Sequence, residues 1–177
     1  HATGGRVTAE YIVDNILESG DEMAILFGQP GAAASAQRGE PAKEILEAAG
    51  INIVYEQPAD WQRERAYDAT ERLLVSYPDV KGIYAVNSAM AMGAAEAIVA
   101  AGRNDVHVFG YGAVIAEIDM IWEGMITGSI FRDAYSSGQQ GADAILRHMR
   151  GEEVPKQYEL NMVMLGSRDD ILERVPR

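Results

Sequence analysis

IYAVNSAMAMGAAEAI, residues 83–98, begins as an apolar run, stops at a single Asn87 and continues as a series of small residues. The apolar run is typical of a buried strand, and the small residues are typical of a closely packed helix. No glycine-rich phosphate loop separates the two. We therefore interpret Asn87 as the joint between a strand and a helix, with its polar side chain at the carboxyl edge of a sheet. Open α/β sheets bind their ligands at that edge.

The same alternation of strand and helix signals extends over the whole chain. Strands are predicted at EMAILFG (22–28), INIVY (51–55), KGIYAV (81–86), VHVFG (106–110) and GSIFR (128–132), with a last extended segment at YELNMVMLG (158–166). Helices are predicted around residues 9–17, 42–49, 66–77, 88–101, 114–122 and 142–149, mostly from apolar stripes at spacings of three and four. This order predicts one α/β domain, a doubly wound parallel sheet with helices on both faces, as in flavodoxin-like three-layer sandwiches.

Composition and charge exclude several classes of function. The 177 residues include 15 Lys and Arg against 27 Asp and Glu, which gives a net charge of −12. Nucleic acids and anionic membranes need a cationic surface, and no basic cluster provides one here. Cysteine is absent, so thiol catalysis, thiolate metal sites and disulfides are excluded. No apolar run approaches the ~20 residues of a membrane-spanning helix, and the opening HATGGRVTAE lacks signal-peptide features, so we expect a mature form or part of a longer protein.

Residues capable of chemistry are present, but they form no recognisable catalytic or metal-binding pattern. His1, His107 and His148 are far apart, and no pair has the spacing of metal ligands. The serines have no evident His–Asp partners, and most carboxylates fall on solvent-facing helix positions. GQPGAAAS (28–35) precedes a helix but lacks the Lys and second glycine of a phosphate loop. We predict no catalytic function, no cofactor and no metal site.

Five polar or aromatic residues share one position in the predicted sheet. They fall at or just after the carboxyl ends of successive strands and are Arg38, Trp61, Asn87, Tyr111 and Arg132. In a parallel sheet these ends lie along one edge, which we call the rim. Two guanidinium groups and one amide supply hydrogen bonds, and two aromatic rings cover apolar C–H faces. The pattern predicts a site for a small polar ring.

Each of these residues also has a purely structural interpretation. In this interpretation Asn87 or Ser88 would serve only as the N-cap of the following helix, a role worth ~1 kcal/mol. Arg38 would pair with a glutamate of its own helix. Trp61 would pack at the start of its helix, and Arg132 would pair with a neighbouring acidic group. The sequence leaves these alternatives open.

Several segments resemble the sugar-binding proteins of bacterial ABC transporters, of the ribose-binding type. The resemblance is carried by QPADW (57–61), YPDVKGIYAVN (77–87), MAMGAAEAI (90–98) and AAGR (100–103), and it extends over nearly the whole chain. It implies a periplasmic or extracellular protein that binds a sugar or sugar derivative and delivers it to a membrane permease. Repressors of the lactose-repressor kind share this core, but no DNA-binding helix-turn-helix is present. A sensing domain of such a repressor or of a membrane receptor is the alternative, and a flavodoxin-like enzyme is a third.

The resemblance also implies a domain organisation. Members of the family have two similar lobes around a hinge, with the sugar held between them. This chain looks like the C-terminal lobe, formed by residues 1–132 and 152–177, and residues 133–151 form a helix that would cross into a missing N-terminal lobe. The apolar stripe of that helix then lacks its usual partner. We expect self-association through Asp133–Arg150, or refolding of this helix onto the chain's own sheet, to cover the stripe.

The resemblance assigns roles to the rim residues by position. Arg38 matches the family's sugar-contacting arginine, and Trp61 matches its stacking aromatic residue. Asn87 matches the asparagine that holds sugar hydroxyls. Tyr111 matches a second aromatic wall of the site.

Two positions of the site depart from the family pattern. Gly112 stands where the family usually has Asp, and Arg132, near the hinge, stands where it often has Gln. Charge-assisted hydrogen bonds contribute about 1.5–3 kcal/mol each. Loss of a carboxylate and gain of a guanidinium group therefore favour an anionic ligand, such as a sugar acid or an acidic polyol. The alternative is a neutral sugar held differently, or a site that has lost affinity.

Overall fold

The computed structural model describes residues 1–156, 158 and 162–175, and within these ranges the chain forms six strands and seven helices. The strands are β1 (Glu22–Phe27), β2 (Asn52–Pro58), β3 (Val80–Ala85), β4 (His107–Gly112), β5 (Gly128–Arg132) and β6 (Met162–Leu165). The helices are α1 (Ala2–Asn15), α2 (Ala33–Ala48), α3 (Arg63–Ser76), α4 (Ser88–Ala100), α5 (Ile115–Trp122), α6 (Ala134–Met149) and α7 (Arg168–Arg174). None of the helices in these ranges combines the length and the apolar content needed to cross a membrane.

The strands form one sheet in the order β2-β1-β3-β4-β5-β6. Strands β1 to β5 run parallel, and β6 runs antiparallel to β5. The chain moves from β1 to the edge strand β2 and then returns past β1 to β3, so the direction of winding reverses beside β1. Because such crossovers are right-handed, α2 lies on one face of the sheet and α3, α4 and α5 lie on the other. The predicted doubly wound α/β fold is confirmed.

Small residues allow the helices around the central strands to approach closely. In α4, Ala91, Ala94 and Ala95 are fully buried, as the opening stretch of the sequence predicts. A Cβ atom added at Gly93 would collide with the carbonyl oxygen of Arg63 and lie 2.9 Å from its carbonyl carbon. Helices α3 and α4 are therefore in backbone contact. On the opposite face, α1 packs against α2 in the same way.

The last strand runs antiparallel in a sheet that was predicted to be parallel. Of the predicted extended segment 158–166, residues 159–161 lie outside the described residues, and 162–165 form β6. The reason for the antiparallel direction lies in α6, none of whose residues is buried. A parallel neighbour would need a crossover that covers the sheet face. Because α6 does not cover that face, β6 begins at the same end of the sheet at which β5 finishes, and it runs back beside β5.

Two further differences concern helices near the end of the chain. The expected refolding of α6 onto the chain's own sheet is not observed, because Tyr135, Ile145, Leu146 and Met149 remain exposed. Helix α7 was not predicted. Its N-cap is Ser167, whose hydroxyl accepts a hydrogen bond from the amide of Asp170 at 3.1 Å.

Candidate ligand-binding rim

Four of the predicted site residues form one cluster at the rim. The guanidinium carbon of Arg38 lies 4.2 Å from the centre of the Tyr111 ring and 5.6 Å from the centre of the Trp61 ring. The guanidinium carbon of Arg132 lies 5.8 Å from the centre of the same Tyr111 ring. Two cations thus share one aromatic ring, an arrangement in which each is attracted by the ring and repelled by the other.

Arg38 reaches the rim from α2 rather than from a strand end. Its Nη1 donates to the carbonyl oxygen of Val86 at 2.9 Å, just beyond the end of β3, so the guanidinium group bridges α2 and the strand. Burial lowers the pKa of Arg38; the Tyr111 hydroxyl opposes this effect, and the charge of Arg132 adds to it. Within the described residues Arg38 forms no ion pair, so the alternative of a pair with a glutamate of its own helix is wrong.

Arg132 also lacks an acidic partner among the residues that the structure describes. Its neighbour Asp133 is used elsewhere, because its Oδ1 accepts a hydrogen bond from the amide of Ser136 at 3.0 Å and caps α6. The Nε of Arg132 is buried without a hydrogen-bond partner in the described part of the chain. An unpaired donor on a cation is costly to bury, and a ligand with acceptor groups would satisfy it.

Trp61 occupies a strained turn between β2 and α3. Both Asp60 and Trp61 adopt left-handed backbone conformations, with φ of 52° and 66°. Such conformations are uncommon for residues other than glycine and are concentrated at functional sites. The turn lays the indole ring against the end of β1, where a Cβ atom at Gly28 would collide with it. Half-buried Trp61 thus packs against the protein and also flanks Arg38.

Tyr111 is not an open aromatic wall. The residue is only 2% exposed, and Arg38 covers its ring. The ring also packs against α1, where a Cβ atom at Gly4 would lie 2.5 Å from it. Burial raises the pKa of Tyr111, and the two arginines oppose the shift. The ring therefore supports the guanidinium groups from below instead of offering a face to a ligand.

Asn87 caps α4 and keeps one polar group at the rim. Its Oδ1 accepts a hydrogen bond from the amide of Met90 at 2.9 Å, so the N-cap interpretation is confirmed for the oxygen. Within the described residues the Nδ2 group donates to no protein acceptor. Because the amide side chain is half-buried and fixed by its oxygen, its nitrogen is a preoriented donor. Capping and ligand contact are compatible here.

Gly112 ends β4 in a conformation that favours glycine. Its φ is 137°, and a Cβ atom at this position would lie 2.6 Å from the hydroxyl oxygen of Ser88. The aspartate that the resemblance implies at this position therefore could not be placed here without movement of Ser88 or of the backbone.

Sequence reasoning missed one rim residue, His1. Its Nδ1 accepts a hydrogen bond from the Nε of Arg38 at 3.4 Å, and its carbonyl oxygen accepts one from the Tyr111 hydroxyl, also at 3.4 Å. This contact depends on how α1 docks against α2, and the sequence carries no local signal for it. His107 is remote from the rim, with its Nδ1 3.2 Å from the hydroxyl of Thr127. The described residues contain no group of His, Asp and Glu side chains suited to a metal ion.

The profile of a protein family described as "Periplasmic binding protein domain" matches residues 1–153. The chain belongs to the periplasmic binding protein family. This membership confirms the predicted relationship to periplasmic sugar-binding proteins of ABC transporters and agrees with the predicted periplasmic location. These relatives are named as binding proteins, which is the class of function that the sequence predicted.

Individual relatives of this periplasmic binding protein point to sugars. The ribose import binding protein of Escherichia coli K12 is 28% identical over 162 residues, 92% of this chain and 54% of that protein. The D-allose-binding periplasmic protein of the same organism is 33% identical over 139 residues, 77% of this chain and 45% of that protein. A periplasmic solute binding protein from Actinobacillus succinogenes with bound D-allose has a TM-score of 0.89 at 27% identity, covering 97% of this chain and 61% of that one. The chain thus spans about half the length of these two sequence relatives.

Proposed function

We propose that this chain is part of the sugar-binding component of an ABC transporter and that its rim contacts the ligand. The observation that carries the proposal is the pair of guanidinium groups at the Tyr111 ring, neither of which has a carboxylate partner in the described residues. Beside them, the Nδ2 group of Asn87 has no acceptor among the residues that the structure describes. The relatives named for ribose and allose support a sugar-like ligand.

The ligand class that fits this rim best carries a negative charge. The whole chain has a net charge of −12, yet the rim holds two guanidinium groups without acidic partners in the described residues, and it has Gly112 where the resemblance implies a carboxylate. A neutral sugar would leave the repulsion between Arg38 and Arg132 in place. A carboxylate or a similar anionic group on the sugar would neutralise it and accept from the buried Nε of Arg132.

We further propose that residues 1–132 and 152–177 act as one lobe of a two-lobe binding protein that delivers its ligand to a membrane permease. Residues 133–151 would then contact the other lobe. The exposed apolar residues of α6 support this proposal, because a helix with no buried residue has its stripe free for a partner. In the isolated chain we expect self-association through this helix. Size-exclusion chromatography at several concentrations tests this, and a strictly monomeric chain would contradict it.

The ligand is tested by NMR titration of the ¹⁵N-labelled 177-residue chain with D-ribonate and, separately, with D-ribose. NMR suits an open half-site, which encloses its ligand poorly and binds weakly. We expect both probes to shift the amide signals of Asn87 and Tyr111, and D-ribonate to bind at least about tenfold more tightly, a difference of ~1.4 kcal/mol. Tighter binding of D-ribose would refute the anionic preference. No response at the rim to either probe, or to D-allose, would refute the sugar site itself.

A matched pair of variants separates a specific contact from a change in overall charge. Arg132→Gln and Arg72→Gln remove the same charge, but Arg72 is exposed on α3. We expect Arg132→Gln to weaken D-ribonate about tenfold or more, because one charge-assisted hydrogen bond is lost. Arg72→Gln should leave the affinity within about twofold, since separated surface charges are screened by salt. Equal losses in both variants would contradict a direct contact.

A further inference from the structure

A buried carboxyl group lies beneath the rim and has no place in the ligand contacts described above. The side chain of Glu117, in the first turn of α5, is 0% exposed. Within the described residues neither of its oxygens reaches hydrogen-bond geometry with a partner. Burial of a polar group without partners is costly, so its presence requires a compensating role.

The carboxyl group fits into a space that one glycine leaves open in the sheet. A Cβ atom at Gly110 would collide with Oε1 of Glu117 and would also lie 2.9 Å from the Cβ of Ala91. Gly110 is in β4, two residues before the rim residue Gly112, so both positions face the same side of the sheet. Glu117 therefore lies below the Gly112 end of the rim.

Four polar groups lie near this carboxyl group. They are the hydroxyls of Ser88 and Ser129 and the amides of Ala113 and Val114, all of which favour its ionised form. Burial has the larger effect and raises the pKa of Glu117. The surrounding polar groups therefore only partly offset the cost of burying the carboxyl group.

The same polar groups shape the turn that follows β4. The amide of Ala113 donates to the Ser129 hydroxyl at 3.3 Å, and the Ser88 hydroxyl donates to the carbonyl of Tyr111 at 3.4 Å. Gly112 and Ala113 are both left-handed, with φ of 137° and 48°. For alanine this conformation is strained and persists only where its surroundings impose it. Glu117 and these polar groups are those surroundings.

We propose that Glu117 is a positioning residue of the rim: from the space behind Gly110 it holds the left-handed Gly112–Ala113 turn that ends β4. The position of this turn fixes where β4 meets the rim at Tyr111 and Gly112. The effect on ligand affinity rests on the proposed function, whereas the hold on the turn is a property of the free chain.

The hold on the turn is tested without ligand, by NMR-detected amide hydrogen exchange of the 177-residue chain. In Glu117→Ala we expect the amide of Ala113 to exchange about tenfold or more faster, relative to the core amide of Ile25, because local opening becomes easier. Glu117→Gln keeps the shape and a neutral hydrogen-bonding group and should stay within about threefold of the wild type. Ile121→Ala, which shortens another buried side chain of α5, is the matched control.

The outcomes separate a positioning role from mere stability. Unchanged Ala113 exchange in Glu117→Ala, or equal acceleration in Ile121→Ala, would overturn the proposal. If Glu117→Ala does not fold, Ser129→Ala removes the acceptor of the Ala113 amide and must show the same local acceleration. Titration of the same samples with D-ribonate tests the consequence, a loss of affinity in Glu117→Ala that Glu117→Gln restores. If the wild type does not respond to D-ribonate, the proposed function fails while the exchange result stands.

Discussion

Replacement of Gly5 by alanine tests whether the contact between α1 and α2 holds Arg38 in place. Gly5 is buried in α1, and a Cβ atom there would collide with the carbonyl oxygen of Arg38 and lie 3.1 Å from its carbonyl carbon. A backbone carbonyl cannot rotate away as a side chain can. The two helices must therefore separate, and Arg38 must shift relative to the carbonyl of Val86 to which it donates.

The expected loss of stability follows from two opposing terms. Alanine in a helix interior gains up to ~1 kcal/mol over glycine. Overpacking costs about 1–3 kcal/mol, and a collision with backbone belongs at the upper end of that range. We expect a net loss of about 2 kcal/mol, which at a urea slope of roughly 2 kcal/mol/M lowers the unfolding midpoint by about 1 M.

Urea unfolding followed by tryptophan fluorescence and far-UV circular dichroism measures this loss. Two other glycines provide controls: Gly93→Ala meets the backbone of Arg63 on the opposite face and should lose similar stability, whereas Gly141 in α6 has no atom within 4 Å of an added Cβ and should lose none. Only Gly5→Ala should also weaken D-ribonate binding. A Gly5→Ala chain as stable as the wild type, beside a destabilised Gly93→Ala chain, would refute the claimed helix contact.

Three further changes probe the rim and its supports. Asn87→Asp keeps the N-cap oxygen, so its unfolding free energy should stay within a few tenths of a kcal/mol of the wild type, whereas Asn87→Ala should cost about 1 kcal/mol. Both variants should bind D-ribonate more weakly, and unchanged affinity in both would exclude a ligand contact by Nδ2. Burial raises the pKa of Glu117, so the folded chain retains this proton at pH values where the unfolded chain has lost it. The stability that the protonated carboxyl group provides is therefore complete below the pKa of the unfolded chain, ~4.3, and it is lost as the pH rises through the pKa of the folded chain. Glu117→Gln should therefore be more stable than the wild type at neutral pH, with the difference vanishing in acid; a pH-independent difference in urea titrations would contradict this. Hydrogen bonds from Ser136 lower the pKa of Asp133, so its capping of α6 is present above the pKa of the unfolded chain and is lost as the pH falls through the pKa of the folded chain. Asp133→Ala should reduce the helical circular dichroism signal without shifting the urea midpoint of the sheet. A shifted midpoint would show that α6 is coupled to the core.

The central strands and helices could be predicted because the local spacing of apolar and small residues indicates which positions are buried. The run before Asn87 and the small residues after it become β3 and α4 with the expected boundary. The direction of β6 could not be predicted in this way, since it depends on whether α6 covers the sheet. Helix α7 did carry a local signal: Ser167 is followed three residues later by Asp170, the spacing of a capping box.

At the rim, the sequence predicted which residues lie close together but not which of them are exposed to a ligand and which are buried as supports. Strand ends identify Trp61, Asn87, Tyr111 and Arg132, because parallel strands end along one edge. The burial of Tyr111 depends on the docking of α1, which no local pattern records. Glu117 was hidden for a similar reason: a glutamate in a first helical turn is ordinary in sequence, and only the space behind Gly110 makes it buried.

The antiparallel pairing of β5 and β6 makes the intervening segment a removable module. Arg132 and Met162 lie opposite one another in adjacent strands, which are spaced about 4.8 Å apart. A two-residue hairpin turn can span that gap. A shortened chain with such a turn in place of residues 133–161 should keep the sheet and the rim and lose the exposed stripe of α6. It would offer a compact scaffold on which the ligand chemistry of one lobe can be redesigned by itself.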